Sequence, residues 1–159
     1  MKRILRIGLD VHTTNYTICV AEPILGGEPV VLLNHQLEPD YHMIIDVINK
    51  LKEQFGDDDC DILCGYEAGC LGYSLYHDLD DHGIRCVILA PTTMHSEKGK
   101  RIKTDFRDAQ LIATCLCSGG YKSVHIPTWH DDEVKEFIRM RDDHMLQLKR
   151  EYSRSVNVR

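Results

Sequence analysis

The chain is 159 residues long, 43% apolar and 28% charged, with a formal net charge of −6. That size and balance fit one soluble globular domain, and the apolar runs fall far short of the roughly 20 residues of a membrane helix. The opening MKRILRIGLD is basic then apolar but has no small-residue cleavage site and soon meets a charge, which argues against a signal peptide. Seven cysteines, an odd number scattered through apolar segments (Cys19, Cys64, Cys86, Cys115), read as free thiols in a reducing, cytoplasmic setting. The acidic total does not advertise nucleic-acid binding, yet the charge is uneven. Acid collects in DDDCD (57–61) and HDLDDH (77–82), base in EKGKRIKTDFR (97–107) and toward the C-terminus. A local basic surface that meets phosphate is compatible with that distribution.

Residues 3–11 (RILRIGLDV) are near-continuously apolar and predict a central strand. Residues 15–22 (NYTICVAE) predict a second strand, and the short HTT link makes the pair a hairpin. After the LGGEP turn, PVVLLNHQL (29–37) predicts a third strand of an antiparallel meander. The period then changes. Ile44, Ile45, Ile48, Leu51 and Phe55 follow helical spacing over 41–55, with Asp40 as N-cap. CDILCGYE (60–67) predicts a strand, LGYSLYHDLDDHG (71–83) a helix stopped by Gly83, and IRCVILA (84–90) a strand ended by Pro91. Residues 92–104 read as an irregular basic loop. DFRDAQLIATCLCSGG (105–120) predicts a helix stopped by a Gly pair, and YKSVHIP a short extended piece. The order predicts an α/β fold built on a mixed five-stranded sheet.

From about Asp131 to Arg159 runs one long helical pattern. Val134, Ile138, Met145, Leu148, Tyr152 and Val156 recur along it, with spacings of four and three as far as Tyr152 once Arg141 joins the seam. Two readings stand: a short coiled coil, or a helix packed on its own domain. The length, roughly 40 Å at 1.5 Å per residue, favours the first.

Four carboxylates occupy distinctive positions. Asp10 interrupts an apolar strand, where an ionised group is costly unless paired. Glu67 ends the fourth strand in GYEAG. Asp105 and Asp108, three apart, share one face at the start of a helix. If the first and fourth strands are neighbours, Asp10 and Glu67 meet at the centre of the sheet, and the later helix presents the other two acids. Such a group raises its own pKa values, and a divalent cation removes the conflict. Hard oxygen ligands favour Mg²⁺ or Mn²⁺, and two ions about 3.5–4 Å apart clamp an in-line displacement at phosphorus. The plainer readings are a helix cap for Asp105 and a surface acid for Glu67. His12, two residues past Asp10, either lines this site or makes a structural hydrogen bond.

GLDVH, YEAG followed by GYSLYHDLDDHGIRCVILAP, KTDFRDAQLIA and VHIP, in that order, resemble the DEDD transposases of bacterial and archaeal insertion sequences. The resemblance implies a RuvC-like domain of the ribonuclease H-like fold, with helices on both faces of the sheet. It implies that Asp10, Glu67, Asp105 and Asp108 are the four metal-binding acids. It also implies DNA strand cleavage and transfer guided by a structured RNA. A coiled-coil helix would then lead to a second, transposase domain that carries a catalytic serine. On this reading residues 1–128 are the RuvC-like domain and residues 129–159 begin the coiled coil, in a piece of a longer protein. A homo-oligomer follows: a dimer through the C-terminal helix, a tetramer at full length. Thr13 stands where the family often has Lys, which bears on a phosphate contact there and not on the metal site.

Lys98, Lys100, Arg101 and Lys103, with Arg107, are the candidate nucleic-acid contacts, since they flank the two helical aspartates. The alternative is a solvated surface loop. His77, Asp78, Asp81 and His82 fit no strong zinc signature, and Cys60/Cys64 and Cys115/Cys117 are not CxxC pairs. Two other functions compete. IGLDVHTT looks like the phosphate hairpin of sugar kinases and actin-like ATPases, except that His12 stands where that hairpin has Gly. A non-catalytic nucleic-acid-binding and dimerisation module is the other.

Overall fold

The computed structural model describes residues 2–56, 59–67, 69, 72–90, 104–126 and 129–156. Five strands form one sheet: β1 (Arg3–Val11), β2 (Tyr16–Glu22), β3 (Val30–Leu37), β4 (Cys60–Glu67) and β5 (Cys86–Leu89). Their spatial order is β3-β2-β1-β4-β5. The first three strands are the expected antiparallel meander, and β4 and β5 add parallel to β1 on its other side. The strand that carries Asp10 is therefore central.

Among the described residues the helices are α1 (Tyr41–Phe55), α2 (Ser74–Asp81), α3 (Asp105–Ser118) and α4 (Trp129–Val156). Asp40 caps α1, its carboxylate accepting from the His42 backbone N–H at 2.9 Å. Gly119 ends α3 in the left-handed conformation (φ 68°), which leaves the expected second glycine outside the helix. α2 begins at Ser74, later than the sequence pattern predicts, and runs to Asp81. Beyond α3 the chain returns to the sheet edge. Leu89 and Ser123 form an antiparallel bridge, and Val124 N–H donates to the Ile88 carbonyl at 2.7 Å. Among the described cysteines, Cys19, Cys60, Cys64, Cys86, Cys115 and Cys117 are free thiols.

The two faces of β1 divide the packing. Leu5, Ile7 and Leu9 are fully buried on one face. Arg3 on that face lies 3.9 Å over the ring of Phe55 from α1. The opposite face carries Gly8 and Asp10, and α3 lies against it. A Cβ on Gly8 would collide with the Ala109 carbonyl and the Ala113 amide of α3. A Cβ on Gly65, the register partner of Gly8, would meet Leu89 and Leu116. Two glycines side by side thus let α3 settle close to the sheet. Cys19, Ala21, Ala109 and Ala113 fill this contact with small side chains. At the other end of β1, Arg6 donates to the Asp61 carboxylate at 3.0 Å and Arg85 at 2.6 Å, which ties β4 to both neighbours.

The chain separates into two compact units, residues 1–124 and residues 125–159. The second contains α4, about 42 Å long for its 28 residues. Val134, Ile138, Met145 and Leu148 of the expected seam are exposed, each between 43% and 49%. The side chains of Tyr152 and Val156 lie outside the described set.

Candidate metal centre

Side-chain alternation along β1 puts Asp10 on the same face as Gly8, the face that α3 covers. On α3, Asp105, Ala109 and Ala113 are spaced by four and form one ridge. Ala109 and Ala113 sit on Gly8, so the ridge runs toward Asp10 and ends in Asp105. A second ridge, Leu116–Ile112–Asp108, runs beside it, with Leu116 over Gly65. Both acids lie in the first turn of α3, where the helix dipole favours negative charge.

The structure brings Asp10, His12 and Asp105 together, with one ligand atom from each within 4.8 Å of the others. His12 Nε2 is 3.1 Å from Asp10 Oδ2. The Asp10 side chain is 17% exposed and that of His12 48%, so the group opens to solvent on one side. Burial raises the Asp10 pKa above its ordinary value of 3.8. His12 pulls it down, and the charges of Asp108 and then Asp105 push it up.

Glu67 and Asp108 do not join the three-atom group. Asp108 acts on Asp10 through its charge. Glu67 is half-buried at the end of β4. The β1–β4 register runs to Leu9↔Tyr66, so Asp10 and Glu67 are the next residues of adjacent parallel strands. Each acid also follows its glycine by two positions, Gly8-x-Asp10 and Gly65-x-Glu67, and so shares its face.

Three polar residues near the group gain a role only in the folded chain. Asn15 donates from Nδ2 to Asp105 Oδ2 at 3.3 Å, while its carbonyl accepts from the His12 N–H at 3.0 Å. Thr17 is the register partner of Asp10 across the β1–β2 hairpin and is fully buried. Its Oγ1 has no hydrogen-bond partner among the described residues. Asn34 donates to the Phe106 carbonyl at 3.1 Å and anchors the first turn of α3 to β3. The HTTN turn sets the hairpin register that pairs Thr17 with Asp10, but nothing in the sequence marks that threonine as unpartnered. The Asn15–Asp105 contact spans 90 residues and has no sequence signal either.

Of the candidate nucleic-acid contacts, Lys98, Lys100, Arg101 and Lys103 lie outside the described residues. Arg107 is exposed on the first turn of α3. No other cluster of three or more His, Cys, Asp or Glu with ligand spacing occurs among the described residues, the His77–His82 stretch included. No helix among them is long and apolar enough to cross a membrane.

The donor set suits a hard divalent cation. It offers carboxylate oxygens and one imidazole, and it gathers negative charge on a partly buried carboxylate that a cation would relieve.

Known transposases resemble the chain over nearly its whole length. A transposase of insertion sequence element IS1533 from Leptospira borgpetersenii is 33% identical over 156 residues, 97% of this chain and 43% of that protein. A putative transposase, y4qE, from Sinorhizobium fredii is 29% identical over 152 residues, 96% of this chain and 37% of that protein. The chain thus spans less than half the length of these curated relatives. Among solved structures, Thermus thermophilus RuvC in complex with a Holliday junction substrate superposes with a TM-score of 0.51 at 11% identity. It covers 76% of this chain and 99% of that one. The fold is RuvC-like. The model of the DEDD transposases of the IS110 type, described as a transposase, matches residues 7–158. With nearly its whole length inside that match, the chain belongs to the DEDD transposase family.

Proposed function

We propose that residues 1–128 are the catalytic domain of an insertion-sequence transposase that cleaves and transfers DNA strands with Mg²⁺ or Mn²⁺. Asp10, Glu67, Asp105 and Asp108 would hold the ion. The observation that carries this reading is the convergence of Asp10, His12 and Asp105 within 4.8 Å. It occurs at the strand ends of a RuvC-like sheet, in a chain of a transposase family.

The chain's own residues divide the work. Gly8 and Gly65 allow α3 to approach, the ridge through Ala113 and Ala109 brings Asp105 to Asp10, and Asp108 would join them from the ridge beside it. Glu67 completes the set from the neighbouring strand. Asn15 holds one oxygen of Asp105 and leaves the other for a ligand role. A divalent ion held there would supply charge neutralisation and Lewis-acid polarisation of a scissile phosphate. Arg107, together with Lys98, Lys100, Arg101 and Lys103, would neutralise flanking phosphates and fix the strand beside the acids.

The longer protein, acting in the bacterial or archaeal cytoplasm, would be guided by a structured RNA and supply the serine nucleophile from a further domain. The exposed seam of α4 would pair two copies, and pairs would assemble into a tetramer. The test is strand cleavage by the full-length transposase. Asp10→Ala is expected to lower Mg²⁺-dependent cleavage on the order of 10³-fold, as loss of transition-state charge stabilisation does. Undiminished recombination by that variant would contradict the reading.

A further inference from the structure

We propose that His12 donates its imidazole nitrogen to the metal at the Asp10–Asp105 site and thereby tilts the site toward Mn²⁺ over Mg²⁺. The inference rests on the acidic-site reading above and adds a ligand of different chemistry to it. Three observations carry it. First, His12 Nε2 lies 3.1 Å from Asp10 Oδ2. Adjacent ligands of an octahedral ion with bonds of about 2.1 Å stand roughly 3 Å apart, so the pair has the separation of one octahedral edge. Second, Asp105 supplies the third donor within 4.8 Å and is steadied by the Asn15 amide at 3.3 Å, so the β1–β2 turn is linked directly to the first turn of α3. Third, Thr17 is completely buried opposite Asp10, on the face that α3 covers, and its Oγ1 has no protein partner among the described residues. A buried hydroxyl without a protein partner leaves unspent polar capacity on the face that carries Asp10.

The consequence is selectivity. Mg²⁺ favours an all-oxygen shell and retains its waters, whereas imidazole suits transition metals. A site of carboxylates alone discriminates little between Mg²⁺ and Mn²⁺; one nitrogen among them adds affinity for Mn²⁺. The hairpin turn fixes the His12 backbone, whose N–H is bonded to the Asn15 carbonyl.

The test is calorimetric titration of the chain with MnCl₂ and, separately, MgCl₂, for wild type, His12→Ala, His12→Gln and Asp10→Asn. Pulsed electron paramagnetic resonance of the Mn²⁺-loaded samples provides a second readout. Wild type is expected to bind Mn²⁺ at least 10-fold more tightly than Mg²⁺ and to show nitrogen hyperfine coupling. Both His12 variants are expected to lose about 10-fold in Mn²⁺ affinity and all of that coupling, with Mg²⁺ affinity kept within twofold. His12 is half-exposed, and circular dichroism verifies the fold of each variant. Equal losses for the two ions would overturn the proposal and leave His12 as a hydrogen-bond partner that orients Asp10. Unchanged Mn²⁺ affinity or hyperfine coupling in His12→Ala would overturn it as well. The underlying acidic site fails separately: Asp10→Asn binding Mn²⁺ like wild type, or wild type binding neither ion, would contradict that reading and the proposal with it.

Discussion

Asp10 is held by opposing forces. Its backbone belongs to a central strand, and its side chain lies between the sheet and the first turn of α3. Burial and the charges of Asp108 and Asp105 disfavour its ionised form, while His12 favours it. The net effect is a folded-state pKa above the unfolded value of 3.8. An acid shifted this way opposes folding once the pH rises above its unfolded pKa, and does so fully above the folded one. Asp10→Asn is therefore expected to raise the melting temperature of the metal-free chain at neutral pH and to leave it unchanged well below pH 3.8. It is also expected to cancel the stabilisation by metal. For wild type that amounts to about 2.7 kcal/mol at an ion concentration of 100 Kd, roughly 5–10 °C for a chain of this size. Differential scanning fluorimetry with and without Mn²⁺ measures both effects. A lower metal-free melting point in Asp10→Asn would contradict the account of Asp10 as a stability cost retained for function.

At this scale the sequence is legible where a residue breaks a pattern. Asp10 stands out as a lone charge in RILRIGLDV. Asn15 and Thr17 do not, because an Asn in a turn and a Thr in a strand are ordinary occupants. Their roles depend on the strand register and on where a helix 90 residues away begins.

The decisive element is α3, and its position depends on two missing side chains. Gly8 and Gly65 lie side by side under it, and the Gly8 position admits no Cβ without a shift of the Ala109–Ala113 backbone. Gly8→Ala is therefore expected to cost about 1–3 kcal/mol, as overpacking does. It should also lift the Asp105 end of α3 away from Asp10. Denaturant unfolding reads the first effect. A Mn²⁺ affinity reduced beyond the loss of stability reads the second. A Gly8→Ala variant with wild-type stability and metal affinity would show that close approach of α3 does not shape the site.

The strands and helices themselves were readable from their periods: β1, β2, β3, β4 and α1 fall within one residue of the predicted limits. What the pattern misplaced were ends set by tertiary contacts. α2 starts at Ser74, and β5 is four residues where seven were predicted. The pairing of Ser123 with Leu89 was illegible because it depends on which sheet edge stays open to a returning chain. The Gly-x-acid spacing in IGLD and GYE was in plain view, but it gained meaning only when β1 and β4 proved to be parallel neighbours in matching register.

The whole molecule is an acidic chain with a net charge of −6 and a basic stretch that precedes Asp105 and Asp108 in the sequence. Total charge and local charge point in opposite directions, and phosphate responds to the local one. In the proposed complex, Lys98, Lys100, Arg101 and Lys103 neutralise phosphates. Their joint replacement by Ala is expected to weaken DNA binding by the full-length protein uniformly across sequences. The slope of log K against log salt should shrink by up to about 0.9 per lost contact. Fluorescence anisotropy across a salt series measures this, and an unchanged slope would remove these residues from the interface.

Fold and family were legible at this scale because GLDVH, YEAG, KTDFRD and VHIP keep their order along the chain. The meeting of distant acids was not legible from spacing alone. The observed meeting, of Asp10 with Asp105, requires the glycine trough and the ridge geometry of α3 to act together. Whether all four acids share one ion is the central claim, and an anomalous difference map from crystals of this chain grown with Mn²⁺ tests it most directly. A peak is expected about 2.0–2.6 Å from carboxylate oxygens of Asp10, Glu67, Asp105 and Asp108. No peak there, or one that Glu67 and Asp108 do not reach, would contradict it.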